Sequence, residues 1–169
     1  MFNKLLSTLA VVLVMTAPAA SAEMNIVVLD PVRAILESDE AKVLAEAANK
    51  EMEPEIEELR VDAEEFQALQ AKLQKDGEVM SESERRRGLK DLEDMQTDLQ
   101  FGQQKLQKQT QDKRQEILQA MAPKYEKVLN DLIQIDQIDL ILSPNQLQYG
   151  NPKHDISRRV TEKLNEASD

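Results

Sequence analysis

The stretch EAKVLAEAANKEMEPEIEELRVDAEEFQALQAKLQK, residues 40 to 75, decides the fold. Its apolar positions are Leu44, Ala48, Met52, Ile56, Leu59, Ala63, Phe66, Leu69 and Leu73, at steps of three or four residues. That spacing lays one stripe along a helix and excludes a strand. After a break the stepping resumes at Leu89, Leu92 and Leu99, and again at Ile117, Met121, Tyr125, Val128, Leu132 and Ile135. The break is Asp76-Gly77-Glu78-Val79-Met80-Ser81. Gly77 suits a helix end, and Ser81 with Glu84 three residues on forms a capping box that starts a new helix. The pattern predicts two antiparallel helices over residues 40–134, joined by a tip near residues 77–80. This is a coiled-coil arm.

The two legs are unequal. Residues 40–75 span about 54 Å and residues 82–134 about 80 Å at the helical rise. The return leg outruns its partner by about 17 residues on that arithmetic, roughly Leu118 to Gln134. This surplus is the most apolar part of the leg, with Leu118, Met121, Tyr125, Val128, Leu129, Leu132 and Ile133. It needs a surface to pack on, and only the chain ends can supply one. The expected fold is mainly α with a small β body, residues 23–39 plus 135–169, from which the hairpin projects.

Within that body, Asn25-Ile26-Val27-Val28-Leu29 is short, β-branched and apolar on both faces, which predicts a buried strand. Asp30-Pro31 stops it and opens a short helix carrying Ile35 and Leu36. Ser38 or Asp39 caps the outward leg. Ile138-Asp139-Leu140-Ile141-Leu142 predicts a second strand. After the turn signal Ser143-Pro144-Asn145, Leu147-Gln148-Tyr149 predicts a third, ending at Gly150-Asn151-Pro152. Residues 155–164 predict a last amphipathic helix with Ile156, Val160 and Leu164 on one face. Three short strands make a marginal sheet with exposed edges. Sharing strands between subunits cures both problems, and Ile26, Val28, Ile138, Leu140 and Leu142 are the expected interface.

Residues 1–22 read as a signal peptide. Lys4 gives the positive start, Leu5 to Met15 are mostly apolar, and Ala20-Ser21-Ala22 is a small-x-small cleavage signature. Cleavage after Ala22 and export to the periplasm are expected. The chain carries 21 basic against 32 acidic residues, a net charge of −11, which loss of Lys4 deepens by one. So acidic a chain lacks the basic footprint of a nucleic-acid binder. It has no cysteine, so no disulfide staples it. With no Trp, three Phe and two Tyr, its composition is that of long helices rather than a conventional core.

The residues resemble the Skp/OmpH-like periplasmic chaperones over nearly the whole chain after the leader. The resemblance rests on Val28-Leu29-Asp30, on Pro123-Lys124-Tyr125-Glu126-Lys127-Val128, and above all on the end. There Ile138 to Leu142, then Tyr149, then Asp155-Ile156-Ser157 with Val160, Leu164 and Asn165 follow in order. It implies a jellyfish-like homotrimer, whose three helical tentacles enclose a cavity beneath a strand-based trimerisation body. It implies a holdase that binds unfolded outer-membrane β-barrel proteins and aids their delivery to the outer membrane. The charge departs from strongly basic members of that family. The outward leg holds ten acidic and five basic residues, and the return leg ten of each. Enclosure with many weak apolar contacts does not depend on net charge and is the expected mechanism.

Several features invite sharper readings. The acidic run from Glu51 to Glu65 lacks the ordered spacing of a calcium loop, so it reads as a solvated face. His154 is the single histidine, with no cysteine or second histidine to join it, and reads as an exposed loop residue. Ser157 has no nucleophile motif around it and none of the four glycines builds a phosphate loop, so no catalytic, cofactor or metal residue is assigned. Arg85, Arg86, Arg87 and Lys90 form the one basic cluster. They either contact anionic lipid or lipopolysaccharide, or are a helix-start cluster balanced by Asp76, Glu78, Glu82, Glu84 and Asp91; the balanced reading is preferred. From Gly102 to Glu116 only Leu106 is apolar, so the middle of the arm is expected to be loose. Pro54, inside the outward helix, is placed opposite about Gln104 and within a turn of Gly102, and this pair is the expected hinge. Two rival functions stand beside the holdase: an envelope coiled-coil tether, and a lipid- or lipopolysaccharide-binding protein leaning on the basic cluster.

Overall fold

A computed structural model describes residues 24–167. The expected signal peptide lies outside the described residues. The elements in order are strand β1 (Ile26–Val28), helix α1 (Pro31–Leu36), helix α2 (Asp39–Asp76), helix α3 (Glu82–Asp136), strand β2 (Leu140–Leu142) and helix α4 (Ser157–Glu166). Among the described residues no helix is long and apolar enough to cross a membrane.

The first three helices begin where their sequence signals stand. The Asp30 side chain accepts from the Arg33 N–H at 3.0 Å, and Pro31 occupies the first turn of α1. Ser38 caps α2, its hydroxyl accepting from the Ala41 N–H. Ser81 and Glu84 form the capping box of α3. Hydrogen bonds from Ser81 hold the Glu84 carboxyl below the usual carboxylate range. The tip falls at residues 77–80. Gly77 stands there for a different reason from the expected one. Its backbone is right-handed, φ −58°, but a Cβ would fall 2.5 Å from the Leu73 carbonyl oxygen. Close approach selects the glycine. The left-handed position belongs to Gln137, φ 50°, which closes α3 by donating its N–H to the Ile133 carbonyl.

Two expected strands differ from the sequence reading. Ile138 is outside β2, because its N–H bonds the Ile133 carbonyl at 3.1 Å and so finishes the helix cap. Leu147 to Tyr149 is not a strand. Pro144 starts a 3₁₀ turn over Pro144–Gln146, a second covers Pro152–His154, and Tyr149 between them is 81% exposed. Two strands form the sheet, paired in parallel with Ile26 opposite Leu140 and Val28 opposite Leu142. The other edge of β1 is taken by Asp155 and Ile156, the latter donating to the Val28 carbonyl at 2.9 Å.

The surplus base of α3 finds its surface where the leg lengths require it. Met121, Val128 and Leu132 are buried in one cluster with Leu29, Ala34, Ile35, Ala41, Ile117, Val160 and Leu164. Each of the larger side chains among these, the alanines excepted, contributes about 1.5–3 kcal/mol on burial. The two chain ends are also tied by polar bonds. The buried Ser157 hydroxyl accepts the Asp30 N–H at 2.9 Å, and Asp155 accepts the Ser157 N–H at 2.9 Å. Arg33 pairs with Asp155 at 2.6 Å, and the buried Thr161 donates to the Ala34 carbonyl at 2.9 Å.

Burial alone would raise the Asp155 pKa, but bonds from Ser157 and Arg33 outweigh it and lower it. A carboxylate with a depressed folded pKa contributes stability above its unfolded value near 3.9, lost as pH falls through the folded value. Asp155→Asn is therefore expected to lower the melting temperature at pH 7 and to weaken the loss of stability below about pH 4. Thermal melts of both proteins from pH 7 down to pH 2 check this.

Candidate assembly and client-binding surfaces

Side chains alternate across a strand. Val27 is buried and its register partner Ile141 packs on the core. The opposite face therefore carries Ile26, Val28, Leu140 and Leu142, four of the five expected interface residues. Ile26 and Leu140 sit side by side, 37% and 43% exposed. Ile26, Val28 and Leu142 also border a groove of about 680 Å³ with Met24, Leu147 and Tyr149. The exposed His154 lies at its margin. Among the described residues β2 pairs only with β1, so its other edge offers unpaired backbone groups. Ile138, at the helix cap, lies outside β2.

The arm has three zones. At its base Ala41 and Ala48 of α2 are buried, as are Ile117, Met121 and Val128 of α3. In the outer zone leucines of α2 enter gaps left by glycines of α3. A Cβ on Gly102 would fall 2.9 Å from Leu59, and one on the buried Gly88 would fall 2.7 Å from Leu73. The two contacts are equally spaced along both helices. Sequence reading missed this, although Gly88 and Gly102 stand one residue short of Leu89 and three beyond Leu99 in the apolar stepping.

Between these zones the seam is mostly polar, with Met52 the one buried apolar side chain at this level. Lys105 pairs with Glu55 at 3.1 Å, and Lys113 with Glu51 at 2.8 Å and Glu116 at 3.3 Å. The hydrogen bond from Lys105 holds the Glu55 carboxyl below its ordinary range, and the bond to Glu51 raises the Lys113 ammonium above its own. From residue 103 to 116 nothing in α3 is buried, as the poverty of that stretch predicts. Pro54 lies in this polar zone beside Glu55. Gly102 does not share its level, since Gly102 packs on Leu59 instead. The register is offset from the one a turn centred near residue 79 gives.

Part of the acidic run is thus engaged across the seam, and Arg60 pairs with Glu57 and Glu64 along the helix. At the tip, Arg85, Arg86, Arg87 and Lys90 are all exposed, with no ion pair among the described residues. Glu84, one of their supposed balancing acids, is engaged in its capping box. Exposed apolar side chains dot the arm: Val43 at 65%, Leu89 at 55% and Phe101 at 69%, with Ile56 and Val61.

The molecule is thus a long helical hairpin on a small strand-and-helix base, with one sheet face apolar and partly exposed. The sequence matches the family described as outer membrane protein (OmpH-like) over residues 25–164. It is 31% identical over 153 residues to a Skp-like protein of Pseudomonas aeruginosa, covering 90% of this chain and 91% of that one. Among solved structures it is similar to a Caulobacter crescentus protein described as an OmpH-like outer membrane chaperone. That likeness has a TM-score of 0.55 at 16% identity over 86% of each chain, and it bears on the fold. The chain belongs to the OmpH-like family.

Helix propensity alone predicts that Gly→Ala stabilises by about 1 kcal/mol at either glycine. Packing predicts otherwise at Gly88, where several Leu73 atoms crowd the added methyl. Gly88→Ala is expected to destabilise the arm by ~1 kcal/mol net, since overpacking costs 1–3 kcal/mol. At Gly102 a single Leu59 methyl must turn aside, so Gly102→Ala is expected near neutral. Urea titration of the two variants side by side checks the ordering.

Proposed function

We propose that the protein is an exported chaperone of the holdase type, working in the periplasm after its leader is removed. It binds unfolded outer-membrane β-barrel proteins between the arms of a homotrimer. The observation that carries this reading is the open apolar sheet face of Ile26, Val28, Leu140 and Leu142, standing at the base of a long arm with exposed apolar side chains. Joining copies through that face covers it and the free edge of β2. The arms then project together from one body and surround a space. Family membership and the Skp-like relative support the same role. Residues 23–39 with 135–169 form the body on this reading, and residues 40–134 the tentacle. It carries no catalytic step, cofactor or metal.

Retention of clients follows from dispersed weak contacts within an enclosure, where tethering raises the effective concentration of every further contact. The tip cluster supports a second role. Arg85, Arg86, Arg87 and Lys90, exposed as they are, suit anionic headgroups of lipid or lipopolysaccharide.

Light scattering of the chain from Glu23 is expected to give three times its monomer mass. Ile26→Asp with Leu140→Asp puts charge on the sheet face and is expected to yield monomer while circular dichroism keeps most of its helix signal. A trimer that tolerates both charges would refute this interface.

Diluting a urea-unfolded porin into the protein tests the holdase itself. Suppressed aggregation supports it, and unchanged aggregation leaves an envelope tether. Changing Arg85, Arg86 and Arg87 to Gln is expected to leave client retention within a few-fold and to reduce pelleting with lipopolysaccharide-containing vesicles. Loss of client binding in that variant would shift the client site to the tip.

A further inference from the structure

The three zones of the arm differ in what holds α2 against α3. The base is held by buried apolar side chains and the outer zone by the Leu59 and Leu73 contacts with Gly102 and Gly88. In the zone between them, where Met52 of α2 is the one buried apolar side chain, the polar cross-seam ties are Lys105 with Glu55, Gln109 with Glu55, and Lys113 with Glu51. These lysines and glutamates are a third to two-thirds exposed, so water and salt reach them.

Two further features weaken the same level. Gln109 turns its Oε1 into the seam, where the atom is buried and finds no hydrogen-bond partner among the described residues. An apolar residue there would incur no such cost. Pro54 lacks an N–H, so the Lys50 carbonyl loses its helical donor one residue from Glu55. Other charges nearby are also surface groups: Lys50 with Glu46, and Lys108 with Asp112, pair along their own helices.

We propose that this belt of Glu51, Pro54, Glu55, Lys105, Gln109 and Lys113 is the hinge of the arm, held straight by its ion pairs and released by salt. The outer zone moves on it as a stiff unit, because its leucine-into-glycine contacts are apolar and indifferent to ionic strength. Gly102 belongs to that stiff unit. The pivot is therefore one to two turns nearer the body than Gly102, and ionic strength sets how far the arms splay.

The chain has no cysteine, so paired spin labels can be placed without background. One pair, Glu46→Cys with Gln67→Cys, brackets the belt along α2 at about 32 Å by the helical rise. A control pair, Glu58→Cys with Gln74→Cys, lies wholly in the outer zone at about 24 Å. Dilution with unlabelled protein isolates distances within one chain. From about 0.1 M to about 1 M salt the screening length falls from ~10 Å to ~3 Å. The distance distribution across the belt is expected to widen at least twofold while the control keeps its width. Lys105→Gln with Lys113→Gln should show the wide distribution at low salt. Glu55→Leu with Gln109→Leu, which continues the apolar seam, should stay narrow at both. A bracketing pair that ignores salt, or a control that widens equally, overturns the hinge. The wild-type salt series decides the matter even where a variant fails to fold, and circular dichroism at both salts separates bending from melting.

Discussion

A helix of 55 residues returning beside one of 38 cannot bury its whole length in the hairpin. The excess is the apolar end of α3. It must be covered by chain that lies outside the hairpin, and the only such chain is the two termini. This constraint brings Pro31–Leu36 and Ser157–Glu166 together on α3, though more than 120 residues separate their partners in sequence. It also carries the flanking strands into parallel register, since β1 enters the hairpin and β2 leaves it at the same end. A parallel pair needs a long crossover, and here the whole arm is that crossover.

Polar chemistry then fixes how the ends meet. Asp30 caps α1, and its own N–H is met by the buried Ser157 hydroxyl. Asp155 receives the Ser157 N–H and the Arg33 guanidinium, while its backbone bridges to β1. Asn165 accepts the Asp39 N–H at 2.9 Å at the start of α2. An unpaired polar group in these places would cost more than the bond returns, so the network tolerates one arrangement and few substitutes. That is the physical content of Asp155-Ile156-Ser157, which as bare sequence is only a suggestive triplet.

What was legible in the sequence follows from how local each signal is. The helices, the tip and the caps at Asp30, Ser38 and Ser81 were readable because periodicity and capping act over a few residues. The third strand at Leu147 failed because a run of three residues between two prolines is too short for propensity to outweigh turn formation. Ile138 failed because helix closure at Gln137 consumed it, and a left-handed glutamine leaves no trace in the sequence. The Leu59–Gly102 and Leu73–Gly88 contacts were invisible because they depend on the register between helices. A tip estimated by symmetry misses that register by a few residues, enough to set Gly102 beside the wrong partner.

The distribution of strength along the molecule argues for one way of working. The body is where burial is deepest and where the polar network is most complete, so it resists distortion. The outer arm is held by the close approach of Leu59 to Gly102 and of Leu73 to Gly88. The belt between them carries most of the exposed cross-seam charge, and it lies at the root of the lever rather than at its tip. A small rotation there displaces residues near the tip through a large arc, because the outer leg beyond the belt is about 30 Å long at the helical rise. In the proposed trimer an enclosure built of such arms would change volume without unfolding any element, and without disturbing the sheet face that would hold the copies together. The acidic balance of α2 fits this arrangement: three lysines of α3, Lys105, Lys113 and Lys124, reach across to its glutamates in the lower half of the arm. In the proposed trimer the surplus negative charge along α2 would push against closer packing of neighbouring arms and favour an open cavity over a collapsed bundle.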